Sequence, residues 1–290
     1  MKVMVIGADG QLGTDLCPAL KYHELIALTQ KDIEITDMEA VFACCRKYRP
    51  RVIINTASLV KVDDCEDSVD LSYKVNALGA RNVAVAAQEL GAVMVQLSTD
   101  YVFGGDAGRT VPYTEFDEPA PLNVYGQTKL AGERMVQSLC TRYFIIRTSS
   151  LFGIAGSLGK GGNFVETVIK LAGTRDELQI VDDQVFSPTY AVDLAAKIVE
   201  LISTAYYGII HITNNGTCSW YEFGREALKM AGVKARVVPV KAAEYPRKAR
   251  RPAYSVLGHY QLKLLGMDDL RDWHDALRAY MVQKGHLKSV

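Results

Sequence analysis

Lys2-Val3-Met4-Val5-Ile6 runs directly into Gly7-Ala8-Asp9-Gly10-Gln11-Leu12-Gly13, and the reading of this stretch decides the fold. The first five residues are a short apolar, β-branched run, and an apolar-periodic helix follows the glycines to about Leu20. Glycines at spacing three and three suit a tight turn, a close approach of backbone to a phosphate, and close packing of helix on strand. The start of such a helix presents free N–H groups and a partial positive charge to a pyrophosphate. A plain strand-turn-helix corner is the bland alternative. A strand immediately before and a helix immediately after form the context that makes the triplet a dinucleotide-binding motif. Gly7, Gly10, Gln11 and Leu12 are therefore expected to hold the cofactor.

Outward from this unit the strand–helix alternation continues. Glu24 to Thr29 reads as a second strand, ending Leu28-Thr29-Gln30-Lys31 with no acid until Asp32. An acid at that point is what holds the ribose 2′-hydroxyl of NAD. The strand therefore admits NADPH, with Lys31 to attract its extra phosphate, and does not exclude NADH. Asp37-Met38 opens the next helix, with Asp37 as its N-cap or also meeting the adenine. Arg51 to Asn55 is a buried-type strand, and the small residues Ala57 and Ser58 after it leave room for a cofactor across the sheet's carboxyl edge. A helix around Tyr73-Lys74-Val75-Asn76 and a strand from Val93 to Leu97 follow. The alternation predicts an α/β fold, a Rossmann-type doubly wound parallel sheet over residues 1–150 with part of 185–215 returning to it. Residues 151–290 are expected to form mainly a smaller, mixed α/β substrate-binding lobe.

Two further stretches carry chemistry. Ser98-Thr99-Asp100-Tyr101-Val102-Phe103 stands at the carboxyl end of a predicted strand, the edge where ligands bind in an open parallel sheet. A hydroxyl there is placed for chemistry, or merely closes a local turn. Tyr125-Gly126-Gln127-Thr128-Lys129 puts a phenol and an ammonium one helical turn apart on the same face. In a partly desolvated site a lysine cation near the phenol favours the phenolate and tunes it as an acid and base near neutral pH. The pair alone is weak, since it arises by chance on many solvated helices.

Bulk properties exclude several other classes. Lysine plus arginine (33) balances aspartate plus glutamate (33), so no global field draws the chain to nucleic acid or an anionic membrane. No apolar run approaches transmembrane length, and the first apolar run is too short for a signal peptide. Six scattered cysteines without a Cys-x-x-Cys pair fit a reducing, cytoplasmic setting, and five dispersed histidines give no metal site. Gly104 to Pro121 reads as a long loop, a candidate lid or substrate rim. Ser149 to Gly162, with five glycines in fourteen residues, reads as an irregular one. Helices are expected at 163–172, 191–202, 220–231 and 270–284, and strands at 179–181 and 208–213. Arg247, Lys248, Arg250 and Arg251 form a basic loop, either a solvated run or a holder of a diphosphate.

Taken together, the glycine loop, Ser98–Phe103 and Tyr125–Lys129 resemble the extended short-chain dehydrogenases/reductases. Within them the chain is most similar to the dTDP-4-dehydrorhamnose reductase family. The matches run nearly end to end, through Val62-Asp63 and Glu66, Pro121 to Tyr125, Asn163-Phe164, Asp183-Gln184 with Pro188-Thr189, and Arg251-Pro252 with Ser255. The resemblance implies that Thr99 binds a sugar C4 carbonyl, Tyr125 protonates its oxygen, and Lys129 holds the nicotinamide ribose and lowers the tyrosine pKa. It implies hydride transfer from NADPH or NADH to C4 and a nucleotide-sugar site lined by Val62, Tyr101, Asn163, Gln184 and Arg251. Dimers occur in the family, so a homodimer is compatible with it.

Three relatives compete with this reading. Sugar-nucleotide 4,6-dehydratases carry an Asp-Glu pair after the threonine, whereas here it is Asp100-Tyr101, so the elimination base is missing. Epimerases keep the reductase triad but hold NAD tightly. The non-catalytic regulatory subunit of methionine adenosyltransferase resembles the same reductases and binds NADP. The complete Thr99, Tyr125 and Lys129 set and the intact Asp183–Thr189 segment favour an enzyme. Two positions depart from the family pattern: Ser150 stands where a sugar-packing tryptophan is expected, and Ser58-Leu59-Val60 lacks the usual threonine.

Overall fold

A computed structural model gives the architecture and describes residues 1–106, 108–157 and 161–288. Residue 107 of the first predicted loop and residues 158–160 of the second lie outside the described residues. The first half alternates as β1 (Lys2–Ile6), α1 (Gln11–Ala19), β2 (Glu24–Leu28), α2 (Met38–Tyr48) and β3 (Val52–Asn55). Two short helices, α3 (Val62–Asp67) and α4 (Val69–Tyr73), then lead through a π-helical turn, Lys74–Gly79, into α5 (Ala80–Leu90). After these come β4 (Val93–Thr99), α6 (Val124–Leu139) and β5 (Tyr143–Thr148).

The second half holds β6 (Leu151–Phe152), α7 (Phe164–Ala172), β7 (Glu177–Val181), β8 (Val185–Phe186) and β9 (Thr189–Tyr190). It continues with α8 (Ala191–Leu201), β10 (Gly208–His211), β11 (Cys218–Ser219), α9 (Trp220–Met230) and β12 (Arg236–Val240). Two helices, α10 (Tyr260–Leu264) and α11 (Trp273–Gln283), close the chain.

One six-stranded sheet in the order β10-β5-β4-β3-β1-β2 carries the fold, and every pairing in it is parallel. The inner strands are mostly buried on both faces because helices cover both, while the edge strand β2 is partly exposed. Val3 and Val5 of β1 join the layer of α1 and α8, while Met4 and Ile6 join the layer of α2, α5 and α6. The chain leaves β1 toward β2 and returns to the other side of β1 as β3. The carboxyl ends of β1 and β3 therefore part at a topological switch, where open parallel sheets bind ligands. No described helix is long and apolar enough to cross a membrane.

The second core packs Phe152, Phe186, Phe223 and Trp273 with Tyr280 and Met281. Around it β7 pairs with β12, β8 with β11, and β6 with β9. The sequence reading contains neither β12 nor α10, and it takes the residues of β6 as irregular loop. Two-residue strands and edge pairs carry too little periodicity to show in a sequence.

Helix starts follow local chemistry. Asn123 caps α6 by accepting from the Gly126 amide at 2.8 Å, and Ser219 with Glu222 forms a reciprocal capping box on α9. Between these helix starts, α6 approaches the turn after β4 so closely that a Cβ on Gly126 would lie 2.1 Å from the Tyr101 carbonyl oxygen. Gly126→Ala is expected to destabilise the protein by about 1–3 kcal/mol through overpacking. Gly173→Ala, where a Cβ meets only ordinary contacts, should stay within about 0.5 kcal/mol. Denaturant unfolding of the two variants checks the contrast.

Candidate active site

The glycine loop takes the form its sequence demands. Gly7 has φ of +84°, and its amide and that of Ala8 donate to the Leu28 carbonyl at 2.9 and 3.0 Å. A Cβ on Gly13 would lie 2.2 Å from the Gly7 oxygen, so only glycine lets α1 start this close to β1. The N-cap of α1 is Gly10, without a side-chain cap or an acid in the first turn, so the helix's free N–H groups face the adjoining space. From β3, Thr56 Oγ1 donates to the Ile6 carbonyl at 2.8 Å and closes the other side of the crevice.

This crevice is one end of a cavity of about 980 Å³. Gly7, Gly10, Gln11 and Leu12 line it, as do Ala57 and Ser58 after β3. Asp37 and Met38 do not. Asp37 caps α2, accepting from the Ala40 amide at 3.1 Å, and Met38 packs into the core beside Arg81. Lys31 is exposed and off the cavity, while Glu34 and Lys74 line it. The Thr36 amide holds the Glu34 carboxyl below its usual range. The sequence reading missed both residues, because the turn after β2 decides which side chain in 30–36 faces inward.

At the centre of the cavity wall Thr99, Tyr125 and Lys129 come together. Thr99 ends β4, in register with Thr148 of β5, and caps the 3₁₀ turn Asp100–Val102 by accepting from the Tyr101 amide at 3.2 Å. Tyr125 is hydrogen-bonded to Thr99 and meets the Tyr101 ring edge-on, with centroids 6.0 Å apart. Lys129 Nζ donates to the Leu97 carbonyl at 2.6 Å. Burial pulls this ammonium down to about 8, against the opposing charge of Glu133. The sequence reading expects the lysine to lower the Tyr125 pKa. Instead burial pushes the phenol up, the Thr99 hydrogen bond opposes it, and Asp100 raises it further. With its ammonium turned to a carbonyl, Lys129 exerts no leading effect on the phenol.

Behind the lysine lies a buried ion pair. Arg147 reaches Glu133 through Nε at 3.0 Å and Nη2 at 2.7 Å, both side chains at most 2% exposed, and Ser98 Oγ donates to the same carboxylate. Glu133 follows Lys129 by one turn of α6, so the pair fixes α6 against β4 and β5. Asn76, on the π-helical turn, performs a similar task in front. Its Oδ1 accepts from Ser58 Oγ and the Leu59 amide, and its Nδ2 donates to Leu59 O and Thr128 Oγ1. A polar residue inside an apolar helical run was the one available signal for it.

On the remaining wall, Val62 and Tyr101 line the cavity. Asn163 lines it too, but its amide is spent: Oδ1 caps α7 at Glu166, and Nδ2 donates to Gly153 O and Tyr280 Oη, each at 3.0 Å. Gln184 and Arg251 are not on the lining. Arg251 makes a two-pronged pair with Asp63 at 2.7 Å on each oxygen, and Lys248 pairs with Asp67. From the same basic loop Arg247 lines the cavity instead, with its guanidinium 5.7 Å from the Tyr245 ring centroid. Ser150, with φ of +43°, stands on the rim, and Phe164, Trp220 and Phe223 supply an aromatic wall from α7 and α9. Nothing in the sequence tied these aromatics to the site, because they are core-spaced and partly core in fact.

Comparison with known proteins agrees with this geometry. The family model for the RmlD substrate binding domain matches residues 1–285. The dTDP-4-dehydrorhamnose reductase of Streptomyces griseus is 40% identical, over 94% of this chain and 91% of its own. The chain belongs to the dTDP-4-dehydrorhamnose reductase family. By that membership it is an oxidoreductase. The spore coat polysaccharide biosynthesis protein SpsK of Bacillus subtilis is 42% identical, with 98% of each chain covered. A crystal structure of dTDP-4-dehydrorhamnose reductase from Bacillus anthracis in complex with NADP superposes with a TM-score of 0.93, at 42% identity, over 98% of this chain and 100% of that one.

The clamp on the basic loop can be tested directly. Asp63 accepts from the Ala249 amide at 2.9 Å as well as from Arg251, and these contacts hold its carboxyl well below the usual range. Its side chain is 38% exposed, so screening limits the pair to about 1 kcal/mol. Asp63→Ala should lower stability by about that much and speed hydrogen exchange at the Ala249 amide about tenfold or more. Because the folded pKa is depressed, the contribution is present above the unfolded carboxyl pKa and is lost as pH falls below it.

Proposed function

We propose that the protein reduces the C4 keto group of a nucleotide-linked 6-deoxy-4-keto sugar, dTDP-4-dehydrorhamnose to dTDP-rhamnose, with NADPH or NADH. The observation that carries this reading is the convergence of Thr99, Tyr125 and Lys129 on one cavity whose other end is the glycine loop. The fit of a dinucleotide rests on the backbone: a Cβ at Gly7 or Gly13 would close the cradle, and α1 offers uncapped N–H groups to phosphates. Glu34 and Lys74 at the far end offer an acid for a ribose hydroxyl and a cation for a ribose phosphate. The NADP in the Bacillus anthracis relative supports NADPH as the first cofactor to test.

A bound nicotinamide cofactor supplies the hydride. The chain's own residues manage the oxygen that becomes an alkoxide. Tyr125 holds its proton at neutral pH, as a phenol does, and can deliver it to that oxygen as a general acid. Thr99 provides a second hydroxyl at the same point, where donors are most useful as negative charge develops. Lys129, fixed on Leu97 O, presents its remaining N–H groups to the cavity and can hold a ribose hydroxyl. Arg247 is placed to meet the substrate's diphosphate, since the charge of Arg251 is already neutralised by Asp63.

The sugar is the finer part of the proposal. The likeness to SpsK, and Ser150 on the rim, support assaying several 4-keto nucleotide sugars rather than one. Purified protein with NADPH and dTDP-4-dehydrorhamnose is expected to consume cofactor, followed by absorbance. Tyr125→Phe should lower kcat by about 10²–10⁴-fold while cofactor affinity stays unchanged. Tight NADPH binding with no turnover of any 4-keto nucleotide sugar sinks the reading.

A further inference from the structure

Asp100 is a buried acid at the centre of a hydroxyl cluster. It lies between Thr99 and Tyr101, is 3% exposed, and has no ion-pair partner among the described residues. Three hydroxyls point at it. Ser149 Oγ donates to Oδ2 at 2.8 Å, Ser255 Oγ donates to Oδ2 at 2.6 Å, and Thr99 Oγ1 donates to Oδ1 at 3.1 Å. Both serines are buried, and neither hydroxyl has another partner among the described residues.

A count of protons shows what this arrangement does. With Asp100 ionised, each hydroxyl spends its one proton on the carboxylate, and the Thr99 oxygen is left as an acceptor for the Tyr101 amide. With Asp100 neutral the cluster holds one proton more. Both serines donate to Oδ2 and have no other partner among the described residues, which favours the proton on Oδ1, where it points at Thr99 Oγ1. Thr99 must then turn its own hydrogen elsewhere, and the open direction is the cavity it lines.

We propose that Asp100 is a positioning residue that sets the direction of the Thr99 hydroxyl, so that the neutral acid aims Thr99 as a donor at the substrate oxygen and the carboxylate withdraws it. This rests on the carbonyl reduction proposed above and adds a control to it. Proton positions change and no bond to carbon is involved. Burial pushes the Asp100 carboxyl up to about 6, against the pull of its three donors. The other ionisable groups around it are Tyr101 on the same turn and Tyr125 on α6, both raised by its charge, with Arg251 and Arg247 acting on Tyr101 from the basic loop.

The geometry also names the test. In Asp100→Asn the amide oxygen can take the place of Oδ2 under the two serines, leaving Nδ2 to donate to Thr99 permanently. Wild-type kcat/KM for the 4-keto sugar should fall about tenfold per pH unit above the Asp100 midpoint. Asp100→Asn should lose that limb and hold the low-pH value throughout, with cofactor affinity unchanged. Ser255→Ala removes one donor to the carboxylate, so its limb should move to higher pH. A limb that persists in Asp100→Asn, an Asp100→Asn enzyme inactive at every pH, or a Ser255→Ala limb at the wild-type pH overturns the proposal. Infrared difference spectra give a readout independent of turnover. The neutral-carboxyl band that titrates in wild type must be missing from Asp100→Asn, and its presence there also overturns the assignment. If wild type turns over no 4-keto nucleotide sugar, the functional reading fails, and the infrared titration still decides the role of Asp100.

Discussion

The site depends on how closely α6 can lie against its neighbours. Two glycines of that helix set the distance. At Gly126 a Cβ would meet the Tyr101 carbonyl at 2.1 Å, and at Gly132 it would meet the Asn76 carbonyl at 2.4 Å. Backbone against backbone, with no side chain between, is what brings Tyr125 within hydrogen-bonding reach of Thr99. The Glu133–Arg147 pair then locks the helix from behind, and removing either member would leave a buried charge unpaired. Packing sets the spacing, and the ion pair prevents sliding.

Charge in the cavity is sorted by which groups have already been neutralised. Asp63 takes up Arg251, Glu133 takes up Arg147, and Asp67 takes up Lys248. Arg247 is left facing the space, with Lys129 held against a carbonyl. Asp100 differs from these three acids, being buried with hydroxyls in place of a cation. A low-dielectric position without a counter-charge is where a carboxyl keeps its proton nearest to neutrality. The same burial pushes the Tyr125 phenol up, so both acids beside Thr99 are shifted first by desolvation.

Local features were legible because their physics is short-range. The glycine loop is specified by neighbours within seven residues, and Tyr125 and Lys129 share a face because four residues make one turn. Thr99 followed from its place at a strand's carboxyl end. Arg251 is the right kind of residue for a ligand but meets a partner 188 residues away that a linear reading does not weigh. Asn163 lines the cavity with its amide taken up by a partner 117 residues away, and Asp37 takes the N-cap role, one of the two read from its sequence.

By itself the sequence determined the alternation of strands and helices and the glycine cradle, each set by hydrophobic period or turn chemistry, and it singled out Thr99, Tyr125 and Lys129 through the family resemblance. Only the tertiary structure decided that Arg247 and not Arg251 faces the cavity, that Lys129 donates to the Leu97 carbonyl, and that Ser149 and Ser255 converge on one oxygen of Asp100. Those outcomes depend on which long-range partner claims each charge and each proton. That competition is settled by packing, after the local rules have been satisfied.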